Sequence, residues 1–171
     1  GNSAKWGGGI MNGGGASVVL NHSTLSGNSA DFGGGLFNQY NCTITLNHST
    51  LSGNSADSGG GIANGGGASV VLNHSTLSGN SASTSGGGLF NQNNSTITLN
   101  HSTLSGNTAS NNGGGIVNRD DASIVLNHST LSGNTASNNG GGIENRIDAS
   151  IVLNHSTLSG NSADFGGGIV N

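Results

Sequence analysis

The chain contains no proline, a single cysteine, and few aromatic or charged residues. Cys42 has no second cysteine with which to form a disulfide inside the chain, so cysteine usage does not define a redox compartment. Only three basic residues occur and the net charge is −4, which excludes an electrostatic surface for nucleic acid. No apolar run approaches the roughly 20 residues that cross a bilayer, so no membrane span is predicted.

Glycine is abundant, at 34 of 171 residues, and Asn, Ser and Thr make up most of the rest. Such a composition is often disordered, because too little apolar surface is available to offset chain entropy. The regular spacing of Ile, Val and Leu opposes that interpretation. Six full repeats of 26 or 27 residues are followed by a partial one, with the full repeats at 1–26, 27–52, 53–78, 79–105, 106–132 and 133–159. A fixed period of this length predicts a single solenoid over residues 1–171.

Apolar residues alternate within each repeat, as at Val18 and Leu20, which is the spacing of a β-strand. Three short strands are predicted per repeat, around Gly-Gly-Ile-x-Asn, Ser-Val-Val-Leu and Ser-Thr-Leu-Ser. Leu20 and Leu25 are an odd number of residues apart, so the chain must bend between them for both to point inward; we place that bend at Asn21 and His22. The predicted fold class is all-β: a right-handed parallel β-helix, or β-solenoid, with one coil per repeat.

The length of the repeat varies at only one place. Later repeats carry an extra residue before Gly-Gly-Gly, as in Ser83-Thr84-Ser85, so we predict a bend there that tolerates insertion. The apolar residues of one coil cannot offset the entropy of ordering it, so we expect stability to come from stacking. The sequence begins and ends inside the repeat pattern, and we expect it to be a window of a longer repetitive chain.

The segment from Leu20 to Asn28, followed by the glycines before Leu36, recurs in the later repeats. This pattern resembles the parallel β-helix repeats of large exported bacterial surface proteins, in particular polymorphic outer-membrane proteins and autotransporter passengers. The resemblance covers the whole chain and implies a β-helix located outside the cell or at its surface. It is less specific for function, because the same scaffold carries adhesins, polysaccharide lyases and phage tailspikes. The triple glycine departs from the repeat of the outer-membrane group.

Three asparagines recur in each repeat, represented by Asn28, Asn38 and Asn47. Asparagine tolerates left-handed backbone angles and its amide both donates and accepts, so we predict hydrogen-bonded ladders between coils for the first two columns. The third column lies in Asn-His-Ser, an N-glycosylation sequon, and is either a ladder or a row of glycans. The candidate glycosylation sites are Asn21, Asn41, Asn47, Asn73, Asn93, Asn94, Asn100, Asn127 and Asn154.

Histidine also recurs once in every complete repeat, and we interpret the column as stacked rings at a bend. Neither a cysteine nor an acidic residue recurs beside it to complete a metal site. The glycine triplets lack the lysine of a phosphate-binding loop. A paired acid and base does not recur either, so no catalytic residue, metal site or cofactor is predicted and the chain is not expected to be an enzyme. A surface ion-pair cluster is expected from Arg119, Arg146, Asp121 and Asp148.

Met11, Phe37 and Phe90 each follow an inward Ile or Leu by one residue, so strand alternation turns them outward. With neighbouring aromatics they either form a lateral contact surface or are partly buried under the variable bend. The candidate contact residues are Trp6, Phe32, Phe37, Phe90 and Phe165.

The leading functional hypothesis is a structural extracellular fibre, or a stalk or adhesin module at the cell surface, built by coil stacking and without catalysis. Open strand edges either continue the chain or pair with another copy, so end-to-end self-association is the predicted partner interaction. Covalent glycans and an external polysaccharide are further candidate partners. The alternative is a carbohydrate-binding or carbohydrate-processing β-helix that uses its outward aromatics as sugar platforms.

Overall fold

The computed structural model describes residues 1–171, which form strands and bends without any helix. Each strand pairs with the equivalent strand of the coil before or after it, always in parallel. The strands thereby form four sheets that run along the stack. The all-β solenoid with one coil per repeat that the sequence predicts is confirmed.

The four sheets are numbered here by their order within a coil. Sheet 1 contains Ile10–Asn12, Leu36–Gln39, Ile62–Gly65, Leu89–Asn91, Ile116–Arg119, Ile143–Arg146 and Ile169–Val170. Sheet 2 contains Ser17–Asn21, Thr43–Asn47, Ser69–Asn73, Thr96–Asn100, Ser123–Asn127 and Ser150–Asn154. Sheet 3 contains Thr24–Ser26, Thr50–Ser52, Thr76–Ser78, Thr103–Ser105, Thr130–Ser132 and Thr157–Ser159. Sheet 4 contains Ser29–Phe32, Ser55–Ser58, Ser81–Ser85, Thr108–Ala109 and Thr135–Ala136.

Sheets 1 to 3 are the three predicted strands of each coil, and sheet 4 is an addition that the sequence did not reveal. Where Ser81–Ser85 pairs with Ser55–Ser58, the register shifts between Ala82 and Ser85. This is the place at which the extra residue of the later repeats enters. The predicted place of insertion is therefore confirmed, although in the fourth coil it is an irregularity at the end of the Ser81–Ser85 strand and not a simple bend.

The core consists of columns of apolar side chains inside the coils. Alternation in Thr43–Asn47 is typical, since Ile44 and Leu46 are 1% and 0% exposed while their neighbours point outward. Seventeen buried Leu, Ile and Val residues from sheets 1 to 3 form one continuous cluster. Burying each such side chain stabilises the fold by about 1.5–3 kcal/mol. Sheet 4 adds only small side chains to the interior, such as Ala56 and Ala82.

Left-handed residues make the bends between sheets. Between sheets 2 and 3 the bend falls at His22 and Ser23, one residue later than predicted, and all six histidines have φ of 48–49°. Between sheets 1 and 2 two consecutive residues are left-handed, as at Tyr40 and Asn41. In the sixth coil Ile147 occupies this position with φ of 56°, a backbone angle that β-branched residues rarely adopt.

The glycine triplet allows two backbones to approach closely between sheets 4 and 1. Gly33 has φ of 65°, and a side-chain carbon on Gly34 would collide with the carbonyl oxygen of Ser55 in the next coil. On Gly35 such a carbon would lie 2.6 Å from the carbonyl oxygen of Gly61. These positions therefore need glycine for backbone reasons.

Candidate functional site

Two asparagine columns lie inside the solenoid and hydrogen-bond one coil to the next. In the first, the backbone nitrogen and Nδ2 of Asn54 both donate to Oδ1 of Asn80 at 3.0 Å. In the second, Nδ2 of Asn64 donates to Oδ1 of Asn91 at 2.9 Å and to the carbonyl oxygen of Ala68 at 3.1 Å. All four asparagines are at most 1% exposed. The two predicted ladders are confirmed, and they satisfy polar groups that would otherwise be buried without partners.

The third asparagine column forms a ladder at the surface end of sheet 2. Nδ2 of Asn73 donates to Oδ1 of Asn47, and Nδ2 of Asn100 donates to Oδ1 of Asn73, both at 2.9 Å. These bonds point to the preceding coil, whereas those of the inner ladders point to the following one. Nδ2 is the atom that would carry a glycan, and in Asn73 and Asn100, which are partly exposed residues, it already donates one hydrogen bond. Glycosylation of the column stays a prediction.

The remaining candidate sequons are outside this column, at the left-handed bend between sheets 1 and 2. The exposed asparagines there are Asn41, Asn93 and Asn94, with φ of 55–58°. Their modification also stays a prediction.

The six histidines form an exposed stack beside the outer ladder. Neighbouring ring centroids are 4.9–5.0 Å apart and the ring planes agree within 4–6°. The predicted stacking of rings is confirmed. Parallel rings direct their nitrogen lone pairs side by side, whereas a metal site needs ligands that converge on one ion. Nowhere does the structure bring three or more His, Cys, Asp or Glu side chains together in a manner that could hold a metal ion.

The outward residues of sheet 1 are covered by the bend that precedes the triple glycine. Phe37 and Phe90 are 7% and 3% exposed, and they pack with Ala63 and Val117 in a second apolar cluster. Phe32 lies against this cluster from the variable bend. Of the two alternatives that the sequence left open, burial under the bend therefore applies to Phe37 and Phe90.

The other candidate contact residues remain accessible. Trp6 stacks on Phe32 with ring centroids 5.0 Å apart and lies 5.1 Å from the ring of Phe37. Trp6 is 39% exposed and Phe165 is 67% exposed. A lateral contact through these side chains stays a prediction.

Arg119 lies at the edge of the aromatic cluster. Its Nε is 3.2 Å from Oδ2 of Asp120, and its NH2 group donates to Oε1 of Gln92 at 2.9 Å. The guanidinium carbon is 4.8 Å from the ring centroid of Phe90, within the range of a cation–π contact. The guanidinium is thus shared among a carboxylate, an amide and an aromatic ring.

The predicted ion-pair cluster had the wrong acidic partners. Arg119 pairs with Asp120 and Arg146 pairs with Glu144, at 3.5 Å, so neither Asp121 nor Asp148 takes part. The reason is that both arginines still belong to sheet 1, where they contact outward residues of that sheet or the residue that directly follows it.

Glu144 is a carboxyl group placed in an apolar column. It pairs in register with Val117 and Val170, is 2% exposed, and its Oε2 has no hydrogen-bond partner. Burial raises the pKa of Glu144 above its ordinary value, and the guanidinium groups of Arg146 and Arg119 oppose that rise. The carboxylate is therefore an unfavourable feature of the stack.

Two concave regions lie on the outer surface. A groove of about 570 Å³ runs over sheet 4 and is lined almost entirely by Ser, Thr and Ala. A cavity of about 170 Å³ lies beside sheet 1 and is lined by aromatic, amide and small residues. The smaller one combines apolar walls with several amide groups and is therefore the better candidate binding site.

Stacked parallel coils with continuous side-chain ladders define the chain as a β-solenoid repeat protein. Three segments, residues 74–92, 101–119 and 128–146, match the family model of the Chlamydia polymorphic membrane protein repeat. Each match begins at a histidine of the stack and ends at or just after the strand of sheet 1. The matches and the parallel solenoid together support a β-helix repeat protein of the surface type, as the sequence resemblance implied. A search of curated proteins and a search of solved structures returned no match.

The matched repeat is that of a surface or outer-membrane protein family, and its description suggests the same setting for this chain. The structure contains no helix with the length and hydrophobicity needed to cross a membrane.

Proposed function

We propose that this chain is a structural segment of an extracellular stalk, fibre or adhesin at the cell surface, which extends by the stacking of coils. The observation that carries the proposal is the continuity of the side-chain ladders. Two inner asparagine ladders, an outer asparagine ladder and a histidine stack each pass from coil to coil at one-repeat intervals.

The geometry of stacking supports extension. Ser69–Asn73 pairs over all five residues with Thr43–Asn47 on one side and with Thr96–Asn100 on the other. Each coil pairs through its backbone in the same register with the coil before it and with the coil after it. Further coils of the same chain, or a second copy, can therefore be added in that register. Each added coil lengthens the stack by about 4.8 Å.

The use of the recurring polar groups supports a non-catalytic role. The hydroxyl of Ser75 accepts from the backbone nitrogen of Ser49 at 3.1 Å and donates to the carbonyl oxygen of Asn73 at 2.9 Å. Inner asparagine amides are occupied in the same way. The recurring serine hydroxyl and inner asparagine amides are therefore engaged in hydrogen bonds that join coils.

The proposed location is tested by immunogold electron microscopy with an antibody raised against this chain. We expect gold particles on intact, unpermeabilised cells, at a measurable distance from the outer membrane. An antibody against a cytoplasmic protein should label only permeabilised cells and serves as the control. Labelling that requires permeabilisation would refute the proposal.

A further inference from the structure

The cavity beside sheet 1 exists because the third coil, residues 53–78, carries small residues where its neighbours carry large ones. Ala63 pairs in register with Phe37 on one side and with Phe90 on the other. At the rim, Gly65 pairs with Gln39. The missing side chains of this coil leave a gap one coil wide, with a volume of about 170 Å³.

We call this gap the coil-3 pocket. Its walls are aromatic and its rim is polar. Phe37 and Phe90 are 7% and 3% exposed and form apolar walls. Tyr40 stands at the rim, 62% exposed, and the amide of Gln39 is partly exposed beside it. None of the lining side chains carries a formal charge at neutral pH.

Gln92 faces the pocket from the fourth coil, and its amide is oriented from behind. The NH2 group of Arg119 donates to Oε1 of Gln92 at 2.9 Å. Because that oxygen already accepts from the guanidinium, the Nε2 group of Gln92 is left to donate. A side-chain carbon on Gly65 would lie 3.5 Å from Cγ of Gln92, so the glycine keeps the space in front of this amide open.

We propose that the coil-3 pocket binds a single neutral sugar residue of a glycan. A sugar ring has an apolar C–H face that fits an aromatic wall and a rim of hydroxyls that fits amide donors and acceptors. An anionic ligand meets no cationic side chain, since no Lys or Arg lines the pocket. A wholly apolar ligand would cover the rim amides without replacing their hydrogen bonds to water, which is unfavourable.

The size of the pocket limits what it holds. Its volume of about 170 Å³ is below the roughly 300–1,000 Å³ of pockets for drug-sized ligands. One ring therefore enters, with the rest of the glycan outside. A ligand with so few atoms in contact is expected to bind with Kd on the order of 1 mM. The site is independent of the proposed structural role, because its lining comes from three neighbouring coils and does not require the stack to extend further.

NMR titration of the isotopically labelled protein with the methyl glycosides of glucose, galactose, mannose and N-acetylglucosamine tests the proposal. At least one glycoside should cause saturable shifts centred on Tyr40, Gln39 and Gln92. Acetate and indole are titrated in parallel as an anionic and an apolar aromatic probe. They should bind more weakly than the best glycoside.

Two variants fill the pocket with residues that other coils already carry at the same position. Ala63→Val reproduces Val117, and Gly65→Gln reproduces Gln39, so both should fold. Tyr40→Ala removes an exposed rim group without touching the core. Each variant should weaken glycoside binding at least tenfold. The control Val71→Thr, on the outer face of sheet 2, should bind as the parent does.

Three results would overturn the sugar site. One is the absence of saturable shifts with all four glycosides. The second is undiminished binding in both pocket-filling variants, and the third is tighter binding of acetate or indole than of any glycoside.

Discussion

Replacing Asn80 by alanine tests whether the buried asparagine ladders hold the coils together. Oδ1 of Asn80 accepts from the backbone nitrogen and from Nδ2 of Asn54, each at 3.0 Å. Its Nδ2 donates to the carbonyl oxygen of Leu51 at 3.1 Å and to Oδ1 of Asn107 at 3.0 Å. Asn80→Ala removes all four hydrogen bonds at a position that is 0% exposed.

The size of the effect follows from the groups that lose their partner. The backbone N–H of Asn54 and one N–H of its side-chain amide remain buried without an acceptor. Each unsatisfied buried donor costs about 1–3 kcal/mol, so the free energy of unfolding should fall by about 2–6 kcal/mol. The space left by the amide adds to this loss.

Asn73→Ala is the matched control, because it removes two hydrogen bonds of the outer ladder where water can replace them. It should cost less than about 1 kcal/mol. Urea unfolding of the parent and both variants is followed by circular dichroism to obtain the midpoint of each unfolding transition. If the free energy of unfolding depends on urea concentration with the same slope in all three proteins, they expose the same amount of surface on unfolding. Equal destabilisation by the two substitutions would refute the role assigned to the buried ladder.

Three further predictions concern single residues and modification. Ile147→Asn should raise the free energy of unfolding by about 1 kcal/mol, since asparagine tolerates the left-handed angle better, and a lower melting temperature would contradict this. Because burial raises the pKa of Glu144, the folded state binds the proton of this carboxyl group more tightly than the unfolded chain does. The parent should therefore lose stability as the pH rises from the pKa of the unfolded chain to the higher pKa of the folded state. In thermal unfolding, the stability of Glu144→Gln relative to the parent should therefore increase as the pH rises above about 4.5, the ordinary pKa of this carboxyl group, and a difference that does not change with pH would contradict the raised pKa of Glu144. Finally, the sequon hypothesis predicts an intact mass of the native protein that exceeds its polypeptide mass by whole glycans, and a bare mass would eliminate it.

The repeat made most of the fold predictable from sequence. Apolar alternation at Ile44 and Leu46, and the recurrence of Asn54 and Asn64, placed these side chains in columns because identical coils must stack in register. Sheet 4 escaped prediction because a short Ser-Ala segment has weak strand character. The recurrence of Ala56 and Ala82 one repeat apart was the available signal.

The outward side of sheet 1 was less predictable. Strand alternation correctly turned Phe37, Phe90 and Glu144 away from the core, yet all three are buried. For the two phenylalanines, Phe32 of the variable bend packs against their cluster. Alternation of apolar residues predicts on which side of a strand a residue lies. Whether that side is exposed to solvent depends on the packing of another segment, here the one that precedes the triple glycine. The coil-3 pocket was hidden for a related reason, since it depends on how Ala63 and Gly65 fall between larger neighbours.

Electron microscopy of the native protein tests the central claim of a stalk built by coil stacking most directly. The prediction is a rod one coil wide, whose length increases by about 4.8 Å for each additional repeat in the chain. A particle length unrelated to the number of repeats would contradict it.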